Sequence, residues 1–196
     1  VRIWRVRLAG AVRAAPVPTS AGLVVATTTD SIFLLDRNTG AVRTRRGLTG
    51  SIVATPASLD TLIVAGTTGG DLVALRPEGL VPRWHVDVGA AVVGTVAVQD
   101  GAAWALDERG ELWRVPLGDA ASASHIGTGV ISRAGPSPTA SGVFLSGLNG
   151  DLVLVDPATG TRLWSARLRG PLTQPAVVDG RFFVAVSARG QVVAFR

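Results

Sequence analysis

Only two histidines occur in this chain, His85 and His125, and cysteine is absent. The two stand 40 residues apart, each one position after the pair Trp84 and Ser124. A metal site needs ligands that converge to about 2.0–2.1 Å from the ion. Two equivalent positions on neighbouring repeats diverge instead, and Arg5 and Arg45 hold the same position in other repeats. They read as surface histidines. Asp30, Asp71, Glu111 and Asp151 lie in or beside glycine-rich turns, where turn chemistry accounts for them. No Gly-x-Ser-x-Gly elbow is present to expose a nucleophile, and no glycine-rich run opens a helix to cradle phosphate. Arginine is the residue that stands out. All 19 basic side chains are Arg and none is Lys, against 14 acids, for a net charge of +5.

These side chains are carried by a repeat. Asp30, Gly70, Gly110, Gly150 and Gly190 are spaced 40 residues apart, and each is followed by a short apolar run such as Asp71-Leu72-Val73-Ala74-Leu75. Trp4, Thr44, Trp84, Ser124 and Trp164 form a second column with that period. Such self-similarity over a whole chain marks a repeat architecture. The clearest copy, 128–164, holds apolar runs separated by Ser141-Gly142, Asn149-Gly150 and Asp156-Pro157-Ala158-Thr159-Gly160. Asn-Gly between apolar runs is a strong hairpin signal. Four short strands fill about 40 residues at ordinary strand and turn lengths. No long stretch has apolar spacing of three and four, so helices are not expected. The unit is therefore the four-stranded blade of a β-propeller.

Runs that are apolar at nearly every position predict sheets packed on both faces. Trp4, Trp84 and Trp164 on the outer strands are placed to fill the wedge between blades, whereas Thr44 and Ser124 leave two softer seams. The last repeat stops after its third strand, and Val1-Arg2-Ile3-Trp4 matches the missing fourth in phase. Pairing there would close a ring of five four-stranded antiparallel blades, with residues 1–196 as a single domain. The alternative is a fragment of a seven- or eight-bladed propeller.

The pattern Asn149-Gly150-Asp151-Leu152-Val153-Leu154-Val155-Asp156-Pro157-Ala158-Thr159-Gly160-Thr161-Arg162-Leu163-Trp164 resembles the PQQ-like, or quinoprotein-type, propeller repeat. The resemblance runs through the chain, with the third repeat eroded to Asp119-Ala120 and Ser124. It implies one of three roles: a quinoprotein dehydrogenase, an envelope assembly lipoprotein, or a bacterial sensor domain. The enzymes of this family resemble one another in a calcium-bound quinone, commonly beside a vicinal cysteine pair. No such pair exists here. The expected innermost segments, 12–18, 52–58, 92–98, 132–139 and 172–178, hold no carboxylate. That removes both the oxygen ligands of a calcium site and the paired acids of a five-bladed glycosidase. No cofactor is expected, and a quinoprotein enzyme is the least supported reading.

What remains is a scaffold for protein–protein interaction. Arg2, Arg5 and Arg7, then Arg43, Arg45 and Arg46, then Arg162, Arg167 and Arg169, fall on or just after outer strands. Of these, Arg43, Arg45, Arg46, Arg162, Arg167 and Arg169 are the partner-binding candidates. A basic rim suits an acidic protein surface or anionic lipid head groups; charge on an outer edge also blocks strand-to-strand aggregation. Arg13 and Arg133 occupy matching positions at the expected ring mouth, where a small anion or acidic peptide would bind a sensor module. Nucleic acid is not expected, because no aromatics interleave with the arginines. The sequence carries no initial Met, no leader and no 18-residue apolar run. It reads as a processed, exported chain or a recombinant piece, periplasmic or at the cell surface, soluble or peripherally attached to an envelope or membrane complex.

Overall fold

The computed structural model describes residues 1–59, 61–180 and 182–196. It is all-β, with only two short 3-10 turns, Glu78–Leu80 and Ala120–Ser122, among the described residues. The first sheet holds β1 (Val17–Thr19), β2 (Gly22–Thr27), β3 (Ser31–Leu35) and β4 (Val42–Gly47). The second holds β5 (Ala57–Leu59), β6 (Leu62–Gly66), β7 (Asp71–Arg76) and β8 (Val81–Asp87). The third holds β9 (Ala97–Gln99), β10 (Ala102–Leu106), β11 (Glu111–Pro116) and β12 (Ser124–Gly127). In the fourth are β13 (Ser137–Thr139), β14 (Gly142–Ser146), β15 (Asp151–Val155) and β16 (Arg162–Arg167). The fifth has three strands, β17 (Val177–Asp179), β18 (Phe182–Val186) and β19 (Val192–Phe195). Every sheet is an antiparallel meander in chain order, the propeller blade that the 40-residue period predicts.

The turn column has a backbone cause. Asp30, Gly70, Gly110, Gly150 and Gly190 all have positive φ, from 51° to 93°. Glycine adopts that conformation freely and Asp tolerates it, so the hairpin between the second and third strand of each sheet dictates the residue type. Strands β3, β6, β10 and β14 are buried at every position, as sheets covered on both faces require. The outer strands differ. In β4, β8 and β16 half-buried and exposed positions alternate, so one face is wet. Three of them also carry a register shift, opposite Leu34/Leu35, Ala74/Leu75 and Leu154/Val155. The eroded third sheet pairs β11 with β12 in continuous register.

Two compact units contain these sheets, Val1–Val92 and Val93–Arg196. In the first, Val24, Ala26, Ile32 and Leu34 of one sheet pack with Ile63, Ala65, Val73 and Leu75 of the next. In the second, Trp104, Leu106 and Leu112 meet Val143, Leu145, Val153 and Val155. Phe144, Leu152 and Trp164 pack in turn against Phe183 and Phe195 of the fifth sheet. Trp164 is the predicted wedge: its ring lies 5.1 Å from both Phe183 and Phe195, edge-on to each.

Residues 1–8 carry no strand, and the fifth sheet ends at β19. Val6 and Leu8 pack on Val25, Phe33 and Leu35 of the first sheet. Trp4 Nε1 donates to the Arg37 carbonyl at 2.8 Å, with the indole against Gly40.

Candidate docking surface

The arginines of β4 are held in three different ways. Arg43 sits at the register shift, bonds the Asp36 carboxylate and donates to the Ala21 carbonyl at 2.9 Å. Arg45, on the same strand, straddles Ser31 Oγ at 3.0 and 3.3 Å and lies 5.8 Å from the Phe33 ring centre. Arg46 points the other way, and its Nε donates at 2.6 Å to the carbonyl of Leu80, in the 3-10 turn before β8. On the fourth sheet Arg167 reaches Asp151 at 3.6 Å and the Asn149 carbonyl at 3.3 Å. Arg162 is exposed. Arg169 is fixed through its backbone N–H, which donates to Gln191 Oε1 at 2.7 Å.

Asp36 shows how firmly the local turn is made. Its carboxylate accepts the Thr39 N–H at 2.9 Å and the Asn38 N–H at 2.8 Å. Those two donors, then Arg43, hold its pKa down at about 2, well below the ordinary 3.8. Asp156 repeats the arrangement with the Ala158 N–H at 2.7 Å.

A column of polar side-chain pairs, acid–base in three of the four, was not anticipated from the sequence. Ser31 receives Arg45, Asp71 lies 3.6 Å from His85, and Glu111 bonds His125 at 3.1 Å. Asp151 with Arg167 continues the series on the fourth sheet. The signal was present: the residue after each turn column faces the same point of the outer strand, fourteen residues on in the first three repeats. His125 also stacks on Trp113, ring centres 4.3 Å apart. Each histidine therefore serves its own sheet.

Arg13 and Arg133 stand in loops, not in strands. The inner strands begin at Val17 and Ser137, later than the sequence reading placed them, and both arginines are exposed ahead of them. Arg13 belongs to the first unit and Arg133 to the second.

The two seams whose preceding sheet lacks the column tryptophan carry clefts. Between the first and second sheets a cleft of about 260 Å³ is lined by Arg46, Gly47, Val73, Leu75, Pro82, Trp84 and His85, among others. Between the third and fourth, one of about 360 Å³ is lined by Val130, Ile131, Leu148, Asn149, Asp151 and Arg162, with Gly129. Thr44 and Ser124 are the column residues of these seams.

The molecule is similar to several known proteins. The crystal structure of BamB from Moraxella catarrhalis aligns with a TM-score of 0.72 at 22% identity, over 98% of this chain and 74% of that one. A computationally designed protein, Ika8, aligns at 0.72 with 15% identity, over 92% and 57%. BBS1N, solved in complex with ARL6DN, aligns at 0.68 with 18% identity, over 88% and 60%. These likenesses establish the propeller fold. Among curated proteins, the outer membrane protein assembly factor BamB of Vibrio cholerae serotype O1 is 28% identical over 131 residues, 59% of this chain. The match spans only 34% of that protein's length. The family profile described as outer membrane protein assembly factor BamB matches twice, over residues 1–104 and 99–196. With both halves of its sequence so matched, the chain belongs to the BamB family of PQQ-like β-propellers.

Proposed function

We propose that this chain is a non-catalytic propeller scaffold that docks a partner protein through the arginine-bearing outer strands of its blades. It acts as an accessory subunit of a bacterial envelope complex, periplasmic or at the cell surface, soluble or peripherally attached. Kinship with an outer membrane protein assembly factor supports outer-membrane protein assembly as the setting. No helix among the described residues is long and apolar enough to cross a membrane.

One observation carries the reading. The outer strands β4 and β16 present wet faces whose exposed positions include arginines, Arg43 and Arg45 on one and Arg162 and Arg167 on the other. Guanidinium groups already oriented by Asp36 and Ser31 lose little freedom when a partner carboxylate arrives. An acidic protein surface is the complement of such a rim.

The test is capture of the partner from native membranes, with Arg43, Arg45 and Arg46 changed to Glu together. Loss of the captured protein is expected, with far-ultraviolet circular dichroism unchanged. Undiminished capture by the reversed protein would sink the reading.

A further inference from the structure

At the seam of the fourth and fifth sheets, Trp164 occupies the column position on β16 and packs edge-on against Phe195 on β19. Phe195 corresponds, one hundred and twenty residues on, to Leu75 of β7. At the seam of the first and second sheets the column residue is Thr44, opposite Leu34 on the face that packs with Leu75. The first sheet therefore brings no ring of its own to this seam, and Trp84 of the second sheet contributes to the lining of the cleft. What remains is the cleft of about 260 Å³ with Val73, Leu75 and Pro82 in its lining. It falls below the ~300–1,000 Å³ of sites that enclose a cofactor or drug-sized ligand. One bulky side chain is the better match.

The electrostatics say what accompanies that side chain. The cleft's own acid, Asp71, faces His85 at 3.6 Å. Arg46 gives its Nε to the Leu80 carbonyl at 2.6 Å, which leaves its terminal nitrogens for another acceptor. Arg83 adds a further exposed guanidinium on β8. Positive charge therefore borders an apolar recess.

We propose that this cleft is an anchor site for an acidic segment of a partner protein, taking one of its aromatic side chains into the place that Trp164 fills elsewhere in the same fold. A carboxylate beside that aromatic pairs with Arg46. The proposal rests on the docking role proposed above and locates its centre. Aromatic anchors in desolvated recesses, ringed by charge, are where protein interfaces concentrate their energy.

Two substitutions fill the cleft from the protein itself. Thr44→Trp supplies the missing column residue. Gly47→Phe enters from the β4 side, where a Cβ meets no atom within 4 Å and φ is not in the left-handed range. The probe is a short fluorescein-labelled peptide alternating Glu and Trp, followed by anisotropy, with Ala-for-Trp and Lys-for-Glu versions as controls. The parent protein should bind the Glu/Trp peptide at least about tenfold more tightly than either control, as loss of one hot-spot contact implies. Both filled variants should lose that margin while melting no lower than the parent. Equal binding of the Ala peptide, or full affinity in a filled variant that folds, overturns the proposal. So does binding of phosphatidylglycerol vesicles that the filled variants abolish while the peptide fails to bind, since the ligand would then be a lipid surface. Membrane capture separates the two readings. If the Arg43, Arg45 and Arg46 reversal abolishes capture and Thr44→Trp does not, the rim docks a partner and the cleft is not its anchor.

Discussion

A single carboxylate shows how the arginines of the rim are kept in place. Asp36 is half-buried, and two backbone N–H groups and one guanidinium hold its charged form. Its pKa, about 2, lies below the ordinary 3.8. A depressed folded-state value means the carboxylate stabilises the fold above its unfolded pKa. That contribution disappears as pH falls through about 2. Carbon-detected titration of Asp36 should give a midpoint near that value in the parent. In Arg43→Ala the midpoint should rise only partway, because the Thr39 and Asn38 amides outrank the guanidinium. A midpoint at the ordinary value in that variant would show that Arg43, not the turn, makes the site. Gly40 closes the same turn at φ 71°, with the Trp4 ring 2.5 Å from where a Cβ would stand. Gly40→Ala should therefore cost at least about 1 kcal/mol of unfolding free energy by left-handed strain alone. It should also shift Trp4 fluorescence to the red as the indole is displaced; an unshifted spectrum would contradict that packing.

At the level of strands and sheets, the tryptophan column separates strong seams from weak ones. Trp164 makes edge contacts with Phe144, Phe183 and Phe195, which extend one aromatic cluster across two sheets. Trp164→Ala should cost about 3 kcal/mol, the low end for a large buried aromatic because the indole is only half-buried. Chemical denaturation with unchanged m-value would measure it. Thr44→Trp should act in the opposite direction and raise stability. Both seams were legible in the sequence, since a period of 40 puts Trp164 and Thr44 at one structural position. The hairpin column was equally legible, because positive φ admits few residue types. The inner strands were not. Val92 and Leu172 are buried, at 1% and 0% exposure, and read as strand. Their N–H groups bond hairpin carbonyls of the preceding sheet instead, Val92 to Thr67 at 2.9 Å and Leu172 to Gly147 at 3.1 Å. An apolar residue in a buried loop has the same hydropathy as one in a ladder, so only the hydrogen-bond partner tells them apart. For the same reason Arg13 and Arg133 were read into strands that begin beyond them. The acid–base column escaped notice because each acid also suits a turn, and turn chemistry alone sufficed to explain it.

For the molecule as a whole, a charge of +5 spread over 19 arginines and 14 acids sets a long-range field, while local pairing decides which arginines a partner can touch. The two effects differ in their kinetics. Steering by net charge acts on association and is screened with a Debye length of about 10 Å at 0.1 M salt. Contact acts on dissociation. Arg167→Ala and Arg162→Ala remove one charge each and should slow association by similar factors at low salt. Arg167 already answers Asp151 at 3.6 Å within its own sheet. Arg162 lines the cleft between the third and fourth sheets. If the outer strands are the docking surface, Arg162→Ala should speed dissociation of the captured partner by about tenfold, the effect of roughly 1.4 kcal/mol. Arg167→Ala should leave dissociation within about twofold. Surface-plasmon traces at low and physiological salt resolve both rates. Equal dissociation for the two variants, with association falling alike, would mean that the rim attracts the partner by charge and holds it somewhere else.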